Sequence, residues 1–219
     1  MSAEEILDHN LTAARLRKCA VKKHRASRLH YDVRLEFEGV LLSWAMPKGP
    51  SYCVGECRMA IEMELHDPEY ISSERVIPKG MRGAGPVMQW DEGGWAPLPG
   101  YENIPESLEN GCLKFTLYCK KLKGNWTLIR RPESCRGKAG PIWDLIKEEG
   151  EFGRSADAPD ILVEAPNSVR TGRTLEEIER DGNAGKVKLI LEDTWLFDGG
   201  HEPPTGGENR VRGKRSRKG

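Results

Sequence analysis

Strict alternation of apolar and polar residues is the feature that most constrains what this chain folds into. In residues 29–37, LHYDVRLEF, the odd positions are apolar and the even positions carry His, Asp, Arg and Glu. A period of two is that of a β-strand with one buried face. Residues 58–66, RMAIEMELH, again place their apolar residues at the odd positions. Both segments therefore predict β-strands.

Turn-forming residues indicate how the strands connect. Glu38-Gly39 separates residues 29–37 from VLLSWAM (40–46) and predicts a hairpin, which PKGP (47–50) ends. The 24 Gly and 14 Pro among 219 residues exceed their usual share, which favours a turn-rich β fold. Further strands are expected over PVMQWD, CLKFTLYC and NWTLIRR. The predicted fold class is mainly β, a compact antiparallel β barrel with flanking short helices, plus a smaller α/β C-terminal portion.

Changes in composition and residue pattern divide the chain into four portions. They are an N-terminal arm at 1–19, a β-barrel core at 20–132, a C-terminal α/β extension at 133–198 and a basic disordered tail at 199–219.

The C-terminal extension is expected to contain two helices and one strand. Pro141 at a first helical position predicts a short helix over 141–149. Thr174 and Glu177 form a capping box for a second helix, which is expected to end at Gly182. A strand is expected over 186–193.

The charges of the chain cancel but are unevenly placed. Residues 15–34 hold eight basic side chains and one acidic one, and residues 210–218 hold six basic side chains and no acid. Basic segments on a neutral chain indicate a polyanionic partner, although a solvated surface is the simpler alternative. No apolar run approaches the roughly 18 residues of a membrane span, and the chain begins without a secretory signal pattern. A cytoplasmic protein with no membrane association is therefore expected.

The polar face of residues 29–37 carries side chains that suit a metal ion. His30 and Asp32 project the same way, roughly 6.5–7 Å apart along the strand, so both can reach one cation. His24, across a predicted bend, supplies a second imidazole. Two histidines and one carboxylate suit Mn, Fe or Zn better than Ca. The candidate metal ligands are therefore His24, His30 and Asp32, and ordinary solvent-exposed polar residues are the alternative.

Charged side chains around these ligands are candidates for holding phosphate. The predicted second polar strand face carries Arg58, Glu62, Glu64 and His66, and Lys48 lies on the PKGP turn. Such groups need one another or a ligand when they are brought together. Cations would hold a phosphate, and His66 or Tyr70 would donate a proton or hydrogen bond to it, with a core aromatic as the alternative for Tyr70. The candidates are Arg34, Lys48, Arg58, Glu64, His66 and Tyr70.

A series of spaced motifs resembles the 3′-phosphoesterase domain of bacterial and archaeal DNA ligase D, the end-joining ligase. The longest is KHRASRLHYDVRLEFEGVLLSWAMPKGPS (23–51). In the family's order there follow R-M-A-I-E-x-E-x-H-x-P-x-Y, I-P-x-G, G-A-G-x-V, W-D-x-G-x-W and K-L-K-G-N-W-T-L. The resemblance covers about residues 20–131, and SVRTGRTLEEI (168–178) is also similar to a segment found in such proteins.

The resemblance implies a small β barrel that uses Mn²⁺, with other divalent transition metals as alternatives. It implies removal of 3′-phosphates and trimming of 3′-terminal ribonucleotides from DNA ends. The metal ligands would be His24, His30 and Asp32. The phosphate would be held or activated by Arg34, Lys48, Arg58, His66 and Tyr70, with Glu64 as a carboxylate of the site region. The expected partners are DNA 3′ ends, primer-templates with a 3′-ribonucleotide or 3′-phosphate, and separately encoded ligase and polymerase, in a nucleoid-associated setting.

The chain also departs from the family pattern. Lys22 stands where the family tends to have Gln, and Arg82 stands where it tends to have Tyr. The acidic and basic segment that contributes to ribonucleotide removal is not found in residues 1–19. A Lys-x-Asp-Gly ligase motif is missing as well, so a stand-alone phosphoesterase is expected. The alternatives are a non-catalytic DNA-end-binding adaptor of the same fold and a non-haem Fe(II) oxygenase, which uses a similar ligand set.

Overall fold

A computed structural model of the protein describes residues 16–133, 137–138 and 140–183. Nine strands of this part of the chain form one antiparallel sheet. They are β1 (Arg17–Arg25), β2 (Leu29–Phe37), β3 (Val40–Met46), β4 (Cys57–Glu62), β5 (Arg75–Ile77), β6 (Gly85–Pro97), β7 (Cys112–Cys119), β8 (Lys123–Arg130) and β9 (Ile142–Lys147). The helical segments are a 3₁₀ turn (Pro68–Ile71), α1 (Ile104–Glu109), α2 (Ile161–Glu164) and α3 (Leu175–Asn183).

Eight of the strands close into a barrel. The order around it is β1-β2-β3-β4-β9-β8-β7-β6, and a second edge of β1 pairs with β6 to complete the circle. β5 pairs with β6 on the edge opposite β1. The predicted mainly β barrel with short helices is therefore confirmed.

One element prediction is wrong. Residues 141–149 form no helix, because residues 142–147 are strand β9, which pairs with β4 and β8 and so lies within the barrel wall. Side chains of β9 alternate in burial, and a six-residue apolar segment is too short for its periodicity to separate helix from strand. The barrel thus extends past the predicted boundary at residue 132. β1 likewise begins at Arg17, inside the predicted N-terminal arm.

Tryptophans fill the interior of the barrel. Trp44, Trp90, Trp95, Trp126 and Trp143 are each at most 2% exposed, and Trp44 and Trp143 pack edge to face at 6.0 Å between ring centroids. On β2 the inward positions are Tyr31, Val33 and Leu35. Because side chains alternate along a strand, the even positions of β2 lie on the outer face of the barrel.

Local turn and cap predictions are confirmed at two places. Glu38 and Gly39 have φ values of 47° and 76°, as the tight hairpin between β2 and β3 requires. The Thr174 N–H donates to the Glu177 carboxylate at 2.9 Å, and the Glu177 N–H donates to the Thr174 hydroxyl at 3.2 Å, so the capping box forms. The helix that it begins runs to Asn183 and does not end at Gly182.

Several predictions fall outside the described residues. These are most of the arm at 1–19, the strand at 186–193 and the tail at 199–219. Within the described part of the chain, no helix is long and apolar enough to cross a membrane.

Candidate metal and phosphate site

β1 and β2 bring the three predicted metal ligands together on the outer face of the barrel. His24 lies directly opposite His30 in the strand register, with their ring centroids 4.7 Å apart. His30 Nε2 lies 3.5 Å from Asp32 Oδ1. One ligand atom from each of the three residues lies within 4.8 Å of the others. Ligands about 2.1 Å from a shared ion lie up to about 4.2 Å apart, so the donor set fits one divalent cation after a small adjustment.

Hydrogen bonds to backbone carbonyls fix the tautomers of both histidines. His24 Nε2 donates to the Gly83 carbonyl at 2.8 Å, and His30 Nδ1 donates to the Arg28 carbonyl at 3.0 Å. A carbonyl oxygen only accepts, so each of these nitrogens carries the hydrogen of the neutral ring. His24 Nδ1 and His30 Nε2 are then left as lone-pair donors. Burial lowers the pKa of His24, which further favours its neutral form. Such carbonyl partners typically orient metal-binding histidines.

Arg34 is the cation closest to these ligands. Its Nη2 lies 3.3 Å from the Asp32 Oδ2, and its side chain is only 11% exposed. Its Nε is buried and has no hydrogen-bond partner among the described residues, and the same holds for Nδ1 of His66. Burial and the nearby charge of Arg34 lower the pKa of His66. Buried polar atoms without partners are costly, so an oxyanion that accepted from these groups would stabilise the site.

Two further predicted residues, Glu64 and Tyr70, flank His66 along the chain. Glu64 is exposed. A hydrogen bond to its backbone and its negative charge both act to raise the pKa of His66, but they do not outweigh the lowering by burial and Arg34. Tyr70 lies in the 3₁₀ turn and is 40% exposed, so the alternative of a core aromatic is wrong. The guanidinium of Arg75 lies over the Tyr70 ring, 4.8 Å from its centroid.

The contacts of Lys48 and Arg58 lie elsewhere. Arg58 donates to the Lys48 carbonyl at 3.0 Å and forms an ion pair with Glu56 at 2.9 Å. Lys48 is exposed in the turn after β3. Among the described contacts of Arg58, none reaches the metal ligands. The structure therefore brings together five predicted residues, His24, His30, Asp32, Arg34 and His66, and leaves the phosphate-binding role of Lys48 and Arg58 as a prediction.

The predicted faces of residues 58–66 are the wrong way round. Ala60 is fully buried in the core, whereas Met59 is 37% exposed and Leu65 is 62% exposed. The carboxylate of Glu62 accepts from the Trp143 indole N–H at 2.7 Å. The tryptophan-filled interior leaves room for a small residue at position 60, and Glu62 satisfies a buried donor. β4 ends at Glu62, and His66 pairs with the sheet again through an isolated bridge to Leu41.

Two groups on the same face as the site were not predicted from the sequence. One is the Gly83 carbonyl, for which the only signal was the glycine-rich segment 80–85. The other is Arg75, at the start of the three-residue strand β5, which is too short to show a periodic pattern.

The fold and the site define a small closed antiparallel barrel with a candidate divalent-metal and anion site on its outer face. Residues 22–130 match the family model of the DNA ligase D 3′-phosphoesterase domain. The chain belongs to this family.

Three curated relatives illustrate the similarity. The multifunctional non-homologous end joining protein LigD of Pseudomonas aeruginosa is 47% identical over 169 residues, which cover 77% of this chain and 19% of that protein. The protein of the same name in Mycolicibacterium smegmatis is 39% identical over 118 residues, 52% of this chain and 15% of the relative. The Mycobacterium tuberculosis LigD, named a DNA repair protein, is 37% identical over 110 residues, 50% of this chain and 14% of the relative. The chain thus matches no more than 19% of the length of these relatives.

Proposed function

We propose that this protein is a metal-dependent phosphoesterase that processes 3′ ends of DNA during repair by end joining. The observation that carries the proposal is the convergence of His24, His30 and Asp32 beside a buried, incompletely partnered Arg34. Membership of the 3′-phosphoesterase family supports the reaction class. The end-joining role is that of the relatives by their names.

The donor set fits Mn²⁺, and other divalent transition metals satisfy the same chemistry. Two neutral imidazoles and a carboxylate are borderline ligands that such ions accept. A bound ion would supply a Lewis acid that polarises a phosphoryl oxygen. Asp32 is held for this purpose by Arg34, which contacts the carboxylate oxygen that faces away from His30.

Arg34 and His66 would hold the phosphate. Arg34 offers its unpartnered Nε–H, and His66 offers Nδ1, which also lacks a partner. Charge-assisted hydrogen bonds to phosphoryl oxygens strengthen as negative charge builds on them in the transition state. Lys48, Arg58 and Tyr70 would contact the phosphate or the leaving group from the rim, and Glu64 would lie beside His66.

The proposed substrates are DNA 3′ ends that carry a 3′-phosphate or a 3′-terminal ribonucleotide. The exposed basic residues of segment 15–34, Lys18 and Arg28, would add sequence-independent attraction to the DNA backbone. Separately encoded ligase and polymerase are the proposed partners in the repair reaction.

The experiment uses a labelled primer-template that ends in a 3′-phosphate. The full chain is incubated with it in Mn²⁺, in Mg²⁺ or in EDTA, and a second substrate ends in one ribonucleotide. We expect Mn²⁺-dependent release of phosphate, reduced by at least about 100-fold in His30→Ala, and little changed in the control Glu106→Ala on exposed helix α1. Failure of the wild type to release phosphate, or undiminished release by His30→Ala, would overturn the proposal. Binding of DNA ends without product would favour an adaptor.

A further inference from the structure

Arg75 lies in one row with the two candidate metal-binding histidines across four neighbouring strands. It is opposite Val87 on β6, Val87 is opposite His24 on β1, and His24 is opposite His30 on β2. Residues directly opposite one another on neighbouring strands project to the same face of a sheet. The Arg75 side chain therefore emerges on the outer face of the barrel, as the two imidazoles do.

The segment that precedes Arg75 is fixed to the sheet. Ile71 packs against Ala20 and Leu41 in a small buried cluster on the outer face. The Lys22 ammonium donates to the Ser73 carbonyl at 2.7 Å. This segment also positions Tyr70. The Arg75 guanidinium lies over the Tyr70 ring, 4.8 Å from its centroid, and this cation–π contact limits the rotamers of Arg75.

Within the part of the chain that the structure describes, the charge of Arg75 is not neutralised by an ion pair. Among the described residues, no carboxylate forms a salt bridge with its guanidinium. Arg34 projects from the same outer face of the barrel, on β2, four residues after His30. Asp32, the carboxylate beside Arg34, is already shared with His30. Two guanidiniums on one face of the barrel, with a single carboxylate shared between Arg34 and His30, favour a bound anion.

We propose that Arg75 is a second phosphate-binding arginine, which with Arg34 makes the site prefer a terminal phosphomonoester over a phosphodiester. The inference rests on the proposed function of the site. A phosphomonoester carries about −1.5 to −2 charges at pH 7, whereas a diester carries one. The Coulomb attraction of an added cation scales with the charge of the ligand, so Arg75 stabilises the monoester more than the diester.

The test compares two substrates and three variants. Arg75→Gln removes the charge, Arg75→Lys keeps the charge without the planar fork, and Lys79→Gln removes an exposed charge from the following turn. With saturating Mn²⁺, we expect Arg75→Gln to lower kcat/KM for the 3′-phosphate end about 10–30-fold and for the ribonucleotide diester no more than about 3-fold. Arg75→Lys should recover part of the monoester loss. Lys79→Gln should change both substrates equally, by less than about 2-fold.

Binding of inorganic phosphate to the Mn²⁺-loaded protein gives a readout that needs no turnover. Isothermal titration should show affinity weakened about 10-fold in Arg75→Gln and unchanged in Lys79→Gln. Equal losses of kcat/KM on both substrates in Arg75→Gln, or unaltered phosphate binding by this variant, would overturn the role of Arg75. The proposed function would still stand if the wild type releases phosphate. A wild type that releases nothing from either end overturns the proposed function, and the phosphate titration still decides whether Arg75 binds the anion.

Discussion

Lys22 lies directly opposite Asp32 in the register of β1 and β2, but its ammonium donates to the Ser73 carbonyl and the Gln89 side chain and not to Asp32. Lys22 is fully buried, and burial lowers its pKa well below the usual value. The Asp32 oxygens therefore remain available to a cation. Glutamine, which the family tends to have at this position, also donates hydrogen bonds from its side chain.

Replacement of Lys22 separates its hydrogen bonds from its charge. Lys22→Met leaves the Ser73 carbonyl and the Gln89 oxygen without their donor, so the free energy of unfolding should fall by about 1–3 kcal/mol. Lys22→Gln keeps an N–H donor and should lose less than about 1 kcal/mol. Urea unfolding of both variants and the wild type measures the difference. Equal stability of Lys22→Met and the wild type would show that these hydrogen bonds contribute nothing.

The loop that supplies the Gly83 carbonyl depends on Gly85. Gly85 has φ +136°, and a Cβ there would lie 2.0 Å from the Arg25 carbonyl oxygen, whereas Gly80 has φ +91° with nothing within 4 Å. Gly80→Ala should therefore cost about 1 kcal/mol of backbone strain. Gly85→Ala must also move the backbone, so it should cost at least about 3 kcal/mol and weaken Mn²⁺ binding about 10-fold through His24. Urea unfolding and Mn²⁺ titration test both. A similar effect of the two substitutions would contradict the steric argument.

The clustering of His24, His30 and Asp32 could be predicted from sequence because strand geometry determines most of it. His30 and Asp32 share a face by their spacing of two, and the three-residue connection between β1 and β2 places His24 opposite His30. Local periodicity and a short turn therefore specify this part of the site.

Other parts of the fold and site depend on packing between distant segments. Trp143 determines which side chains of β4 face the barrel interior, because Glu62 accepts a hydrogen bond from its indole N–H and Ala60 fits beside the aromatic core. Residues 142–147 form strand β9 because their backbone pairs with β4 on one side and with β8 on the other. Arg75 reaches the site through pairing of a three-residue strand, a contact that no local pattern in the sequence encodes.

The pH dependence of stability should contain a contribution from Asp91. Its carboxylate accepts from the backbone N–H groups of Glu92, Lys121 and Leu122 at 2.7–2.9 Å, yet burial outweighs these bonds and raises its pKa from 3.8 to about 6. Between these values the folded state binds more protons than the unfolded state. The stability from this group is fully present below pH 3.8 and is lost as pH rises through about 6.

Asp91→Asn isolates this contribution, because asparagine does not titrate. The wild-type free energy of unfolding minus that of Asp91→Asn should fall by roughly 2–2.5 kcal/mol between pH 4 and pH 7. Subtraction removes the opposite slopes of Glu56, Glu92 and Glu148, whose pKa values are lowered. Urea unfolding at several pH values gives the difference, and a difference that does not change with pH would mean that Asp91 titrates alike in both states.

The C-terminal segment 168–178 should stabilise the barrel through Arg173 and Glu74. Arg173 Nη2 lies 2.8 Å from Glu74 Oε1, and the Glu74 side chain is only 6% exposed. Arg173→Ala leaves this buried carboxylate with neutral donors, the Thr171 hydroxyl and the Gln89 N–H. We expect the free energy of unfolding to fall by about 2–3 kcal/mol.

Arg180→Ala provides a matched control for this loss. Arg173 and Arg180 both pair with Asp181, but the Arg180 side chain is 71% exposed. Removal of the exposed pair should change stability by less than about 0.5 kcal/mol. Because Glu74 directly precedes Arg75, Arg173→Ala should also lower the affinity for phosphate, whereas Arg180→Ala should not. If the two variants unfold at the same urea concentration, the segment is held by the apolar contacts of Leu175 and Ile178 and not by the buried ion pair.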